Sequence, residues 1–115
     1  MSEPRRMPRG EALEVEHKKA AGYLLNLAHQ DGESKARFFL RCGFKVEDWE
    51  SFARALREHG ATREVIGEEE TKFGRKYRVE CQLTTPDGFN PCILSVWIQT
   101  GNRPPRLVTA HPQLG

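Results

Sequence analysis

Apolar residues recur at helical spacing in the first half of the chain, and after Gly60 at every second position. The period therefore changes once, from 3.6 to 2, which predicts helices first and strands second. Over 15–25, Ala20, Ala21, Leu24 and Leu25 gather on one side while Lys18 and Lys19 face outward. Over 34–42, Ala36, Phe39 and Leu40 form a second stripe. The Ser34 hydroxyl is expected to cap that helix and Gly43 to end it in the left-handed conformation. A third helix is predicted over 47–59, where Trp49, Phe52, Ala53 and Leu56 share one face. Glu47, Asp48 and Glu50 complement its positive end, Arg54 and Arg57 lie toward its negative end, and Gly60 reads as its stop.

Strict alternation over 77–83, with Tyr77, Val79, Cys81 and Leu83 on one side, predicts a strand with one covered face. A two-residue turn at Asp87-Gly88 predicts its partner and register. Leu83 would then face Cys92, Cys81 face Leu94, Val79 face Val96 and Tyr77 face Ile98. These eight would look toward the helices, leaving Arg78, Glu80, Ser95 and Trp97 on the open face. A strand over 63–71 should precede the hairpin, its Glu68, Glu69 and Glu70 suiting an exposed edge. A last strand is expected over 106–111. The expected fold is α+β: about three N-terminal helices packed on one face of a four-stranded antiparallel sheet.

Composition narrows the class. At 115 residues the chain has the length of one domain, and 37% apolar content supports a modest core without staples. Residues 1–10, with three arginines, two prolines and no aromatic, read as a flexible basic tail, and 11–115 as the single domain. The longest apolar run, 20–25, is far below the roughly 18 residues of a membrane span, and no apolar segment follows the early arginines as in a secretory signal. A cytoplasmic protein with no membrane contact is expected. Cys42, Cys81 and Cys92 are odd in number and lack zinc spacing, so reduced thiols and no metal are expected. Nothing matches a phosphate-binding glycine loop or a nucleophile elbow, and no cofactor is expected. A net charge of +2 permits RNA contact without demanding it.

The candidate chemistry lies in the polar residues of the open face and the loop before the second helix. In the predicted register Arg78 lies opposite Trp97, so a cation over an indole would offer a base and a phosphate a place to bind. The alternative is an ordinary solvated face. His29 and Lys35 flank the Asp31-Gly32 loop, one suited to proton transfer near neutral pH and the other to phosphate charge. Thr109 and His111 share a side of the last strand. With Glu80 these are the parts of metal-free RNA cleavage, in which a base activates the 2′-hydroxyl and an acid protonates the leaving oxygen. His17 and His59 are taken as structural or solvated.

The run from His29 through Lys35 to Phe39, then Gly43-Phe44, Trp49, Val96-Trp97 and Thr109-Ala110-His111-Pro112, resembles a family of small bacterial proteins known as a domain of unknown function. That family usually has His-Pro-x-Gly at the first motif and Thr-Ala-aromatic-Pro at the last; this chain has Gln30 and His111 instead. The layout is similar to the barnase, EndoU, colicin and RelE group of ribonuclease toxins. The resemblance implies an endoribonuclease-like toxin of a toxin–antitoxin or polymorphic-toxin system, with RNA and a small companion protein as partners. Catalysis would rest on His29, Lys35, Glu80 and Thr109, and substrate binding on Arg78, Trp97, Arg106 and His111. The competing reading is a non-catalytic protein-binding module, an antitoxin or adaptor, using the open face or the edge strand.

Overall fold

The computed structural model describes residues 5–113. A short helix α1 (His17–Lys19) widens into a π-helical turn over Ala20–Leu24, followed by α2 (Glu33–Arg41) and, after a 3-10 turn, α3 (Trp49–Thr62). The strands β1 (Glu64–Thr71), β2 (Gly74–Gln82), β3 (Cys92–Gln99) and β4 (Arg106–Pro112) form one antiparallel sheet in chain order. This is the expected α+β class. Among the described residues no helix is long and apolar enough to cross a membrane.

The apolar stripes of α2 and α3 meet where Phe39, Phe52 and Phe44 pack ring to ring, with centroids 4.7–4.9 Å apart along the chain of contacts. Below them lie Leu56, Val79, Ile93, Trp97 and Leu107, all buried. The segment before α1 runs beside β4: Glu14 donates its N–H to the Pro105 carbonyl and accepts from Leu107, forming a parallel bridge to Arg106. This brings α1 and its π turn against the β4 edge.

The β2–β3 register differs from the expected one by one residue. Val79 pairs with Ser95, Arg78 with Val96 and Tyr77 with Trp97. The cause is the connection: Asp87-Gly88 is not a two-residue turn but part of a nine-residue loop between Gln82 and Cys92. Thr85, Asp87 and Asn90 knit that loop through side-chain hydrogen bonds, and Asn90 takes a φ of 49°. A slip of one residue moves a whole strand's side chains to the other face. Trp97 therefore lies on the helix side, fully buried, donating its Nε1–H to Ser95 Oγ at 2.8 Å. Leu94, Val96 and Ile98 lie on the opposite face.

Other expectations are corrected locally. The α2 N-cap is Gly32 and carries no side-chain cap; Ser34 is inside the helix. Gly43 does end the helix at φ 105°, its N–H bonded to Leu40. Gly60 does not stop α3, which runs to Thr62. From Arg5 onward the expected tail is docked: the Arg5 carbonyl accepts from Val65 N–H, and Met7 is 5% exposed within the core. Residues 1–4 lie outside the described part. Cys81 and Cys92 are joined as a disulfide across β2 and β3, rather than reduced, while Cys42 is free and buried. Of the two readings left for His59, structural or solvated, the structure shows the first: it is fully buried.

Candidate functional site

The π turn sets the first member of the site. An ordinary α-helical step bonds each amide four residues back; here Leu25 N–H reaches Ala20 O at 2.9 Å, five residues back. Within this widened turn Tyr23 projects toward the β4 edge. Its ring lies against the start of α2, where Gly32 leaves room: a Cβ there would lie 2.8 Å from the Tyr23 ring. That close approach places Lys35, in the first turn of α2, with its ammonium 2.5 Å from the Tyr23 oxygen.

β4 supplies the third member. Val108 is an extra residue between the pairs Val96–Thr109 and Trp97–Leu107, so the strand bulges there. A bulge re-aims the side chains beside it. Thr109 Oγ1 accepts from Lys35 Nζ at 3.2 Å and shares a hydrogen bond with the Tyr23 hydroxyl at 3.3 Å. Tyr23, Lys35 and Thr109 thus form a closed triangle of polar atoms.

His29 completes the group from the loop, its ring edge-on to Tyr23 with centroids 4.9 Å apart. Its Nδ1 accepts the Asp31 backbone N–H at 3.1 Å, so the proton of the neutral ring sits on Nε2. All four side chains line one cleft of about 460 Å³, together with Lys18 and Lys19. Burial alone would raise the Tyr23 phenol. The hydrogen bonds to Lys35 and Thr109 and the charges of Lys35 and Lys19 outweigh it and hold the phenol below its usual pKa of 10.0. The cleft therefore holds a phenol of lowered pKa next to the Lys35 ammonium.

Of the residues expected at a site, His29, Lys35 and Thr109 converge here. Arg106 lies in an adjoining cleft that shares Lys18, Lys19 and Val108 with the first. Arg78, Glu80 and His111 are on the same sheet face but line neither cleft. Arg78 folds over Gly67, where a Cβ would lie 2.5 Å from its guanidinium. Glu80 accepts from Gln113 Nε2 at 2.6 Å, across Leu94 from His111. Trp97 is on the other face, so the stacked Arg78–Trp97 pair does not exist. Tyr23 is the residue the sequence concealed, since it sits inside an apolar helical run and reads as core; its only signal is the polar tip at the end of that stripe.

A sequence model of the family described as a domain of unknown function (DUF6883) matches residues 6–114. The chain belongs to that family. No curated protein matches it. Among solved structures, this DUF6883 domain is similar to a chain of a contact-dependent growth inhibition toxin–immunity protein complex from Klebsiella pneumoniae 342. The TM-score is 0.68 at 14% identity, covering 86% of this chain and 98% of that one. At that identity the likeness of this DUF6883 domain to that chain is one of fold alone.

Proposed function

We propose that this domain is an endoribonuclease-type toxin whose centre is the Tyr23–Lys35–Thr109 triangle with His29. The observation that carries the reading is the Lys35 ammonium, which donates at once to Tyr23 and Thr109 in an open basic cleft. A shared fold with a chain from a toxin–immunity complex supports a toxin-type role, and with it a companion protein.

The chemistry follows from the triangle. The hydrogen bonds of the Lys35 ammonium and the Thr109 hydroxyl, which lower the Tyr23 pKa, favour the phenolate that acts as base. That oxygen takes the proton of a ribose 2′-hydroxyl as O2′ attacks phosphorus. The bond from phosphorus to the 5′ oxygen breaks, and Lys35 gives that oxygen a proton. A 2′,3′-cyclic phosphate and a 5′-hydroxyl result, and the Tyr23 proton returns to Lys35 across their 2.5 Å bond. His29, with Nδ1 engaged by Asp31, donates its Nε2–H to a phosphoryl oxygen rather than relaying the proton.

The test is incubation of the purified protein with RNA and analysis of the new ends. Cleavage to cyclic phosphates that is lost in Lys35→Ala at unchanged thermal midpoint supports the reading. Intact RNA, with capture of a companion protein on the same surface, replaces it with the non-catalytic binding module.

A further inference from the structure

The adjoining cleft is larger than the first, about 710 Å³, within the range of roughly 300–1,000 Å³ typical of ligand sites. Its lining gathers Lys18, Lys19, Lys72, Lys76 and Arg106 against a single carboxylate, Glu16. Five of the chain's 18 basic residues thus meet in one place although the net charge is only +2. Among the described residues none of the five takes part in an ion pair. Unpaired cations lining one cleft repel each other and hold a strong positive potential, which an anionic polymer relieves.

One aromatic stands at the rim. Phe73 is 67% exposed, yet its turn is held rigidly. The Phe73 N–H is bonded to Thr71 Oγ1 and its carbonyl accepts from Thr100 Oγ1 at 3.0 Å. Gly74, at φ 137°, abuts β3 so closely that a Cβ would lie 2.4 Å from the Gln99 carbonyl oxygen. Lys72 Nζ sits 5.2 Å from the Phe73 ring centroid. A lone exposed phenylalanine needs no explanation. One fixed in place beside five free cations matches the way single strands are held, with bases stacked on aromatic faces and phosphates in a basic groove.

We propose that this cleft binds the single-stranded RNA adjacent to the bond cut at Tyr23, a base stacking on Phe73 while Lys72, Lys76 and Arg106 take the neighbouring phosphates. The strand passes Lys18, Lys19 and Val108, which line both clefts. The inference rests on the ribonuclease reading only for where the scissile phosphate lies. It also confines the substrate to unpaired RNA, because a base inside a duplex cannot reach Phe73.

The experiment measures fluorescence anisotropy of a labelled single-stranded RNA oligonucleotide, and of the same strand annealed to its complement. It compares the wild type, Phe73→Ala and a Lys72→Ala/Lys76→Ala double variant. Each variant is expected to weaken the single strand about tenfold, with little change for the duplex or in thermal midpoint, because Lys72 and Phe73 are exposed and Lys76 is only half-buried. The double variant should also lower the salt slope by about 1.4, at roughly 0.7 per phosphate contact. Cleavage of a dinucleotide, which spans only the scissile phosphate, should be unchanged in both. If Tyr23→Phe abolishes cleavage while these variants bind as the wild type does, the second cleft is overturned and the ribonuclease reading stands. If the wild type cuts nothing but binds through Phe73, the converse holds. No RNA affinity in the wild type removes both.

Discussion

Gly60 and Trp97 meet face to face: a Cβ on Gly60 would lie 2.6 Å from indole Cζ2 and 2.8 Å from Leu13 Cδ1. The last turn of α3 rests directly on the largest buried side chain. The glycine serves approach, not termination.

Gly60→Ala is accordingly expected to destabilise the protein by about 1–3 kcal/mol, the usual cost of overpacking, although alanine is the better helix former. Urea unfolding measures this. A gain in stability would mean that α3 does not sit on the indole.

His59 predicts a pH dependence. Its Nε2–H donates to the Cys81 carbonyl and its Nδ1 accepts from Ser95, whose oxygen in turn accepts from Trp97 Nε1–H, so the neutral ring is satisfied on both sides. Burial, outweighing the Cys81 bond that favours charge, brings its pKa from 6.5 to about 4. Between those values the unfolded chain binds more protons, so stability is fully present above pH 6.5 and lost as pH falls toward 4. The loss should approach about 3 kcal/mol. Urea midpoints at pH 7 and pH 4.5 should differ in this sense, and much less so in a folded His59→Gln variant.

The two tyrosines should titrate apart. Tyr23 is lowered by Lys35 and Thr109, against the burial that would raise it, whereas burial and then Glu68 raise Tyr77. Phenolate absorbance should rise in two steps, the first below pH 10. Lys35→Met should move that first step upward and leave the second; a single step in the wild type would show that Lys35 does not act on Tyr23.

Tyr23→Phe keeps the ring and removes the oxygen. RNA cleavage should fall by about 10²–10⁴-fold while RNA affinity holds within a few-fold. Equal loss of binding and cleavage would make Tyr23 a binding residue instead.

Met7, 5% exposed against the core, makes the N-terminal segment part of the fold. Met7→Ala should cost about 2 kcal/mol in urea unfolding. An unchanged midpoint would restore the free tail that composition suggests.

The helices and strands were legible because α2, α3 and β2 each bury one side, and one-sided burial writes a period into the chain. β3 does not: Ile93 through Ile98 are all buried, on both faces of the sheet, so nothing in that strand fixes which residues face which way. Its parity hung on the turn alone, and the Thr85–Asp87–Asn90 loop is not the turn Asp-Gly suggests. Trp97 went to the wrong face for that reason, and Arg78 lost its partner with it. At the site, His29 in its loop, Lys35 at the start of α2 and Thr109 on β4 were legible by chemical type. Tyr23 was not, since a π turn is one residue longer than the period used to find helices.

The N-terminal segment meets both margins of the sheet, each at one point. Glu14 occupies the ladder beside β4, and the Arg5 carbonyl takes the Val65 amide of β1, whose remaining length is bulged at Ile66 and carries Glu68, Glu69 and Glu70. Pairing of a second molecule along β1 is opposed by that bulge and by the three carboxylates. Filament growth from the β1 edge would first have to displace Arg5, a residue that composition marks as expendable.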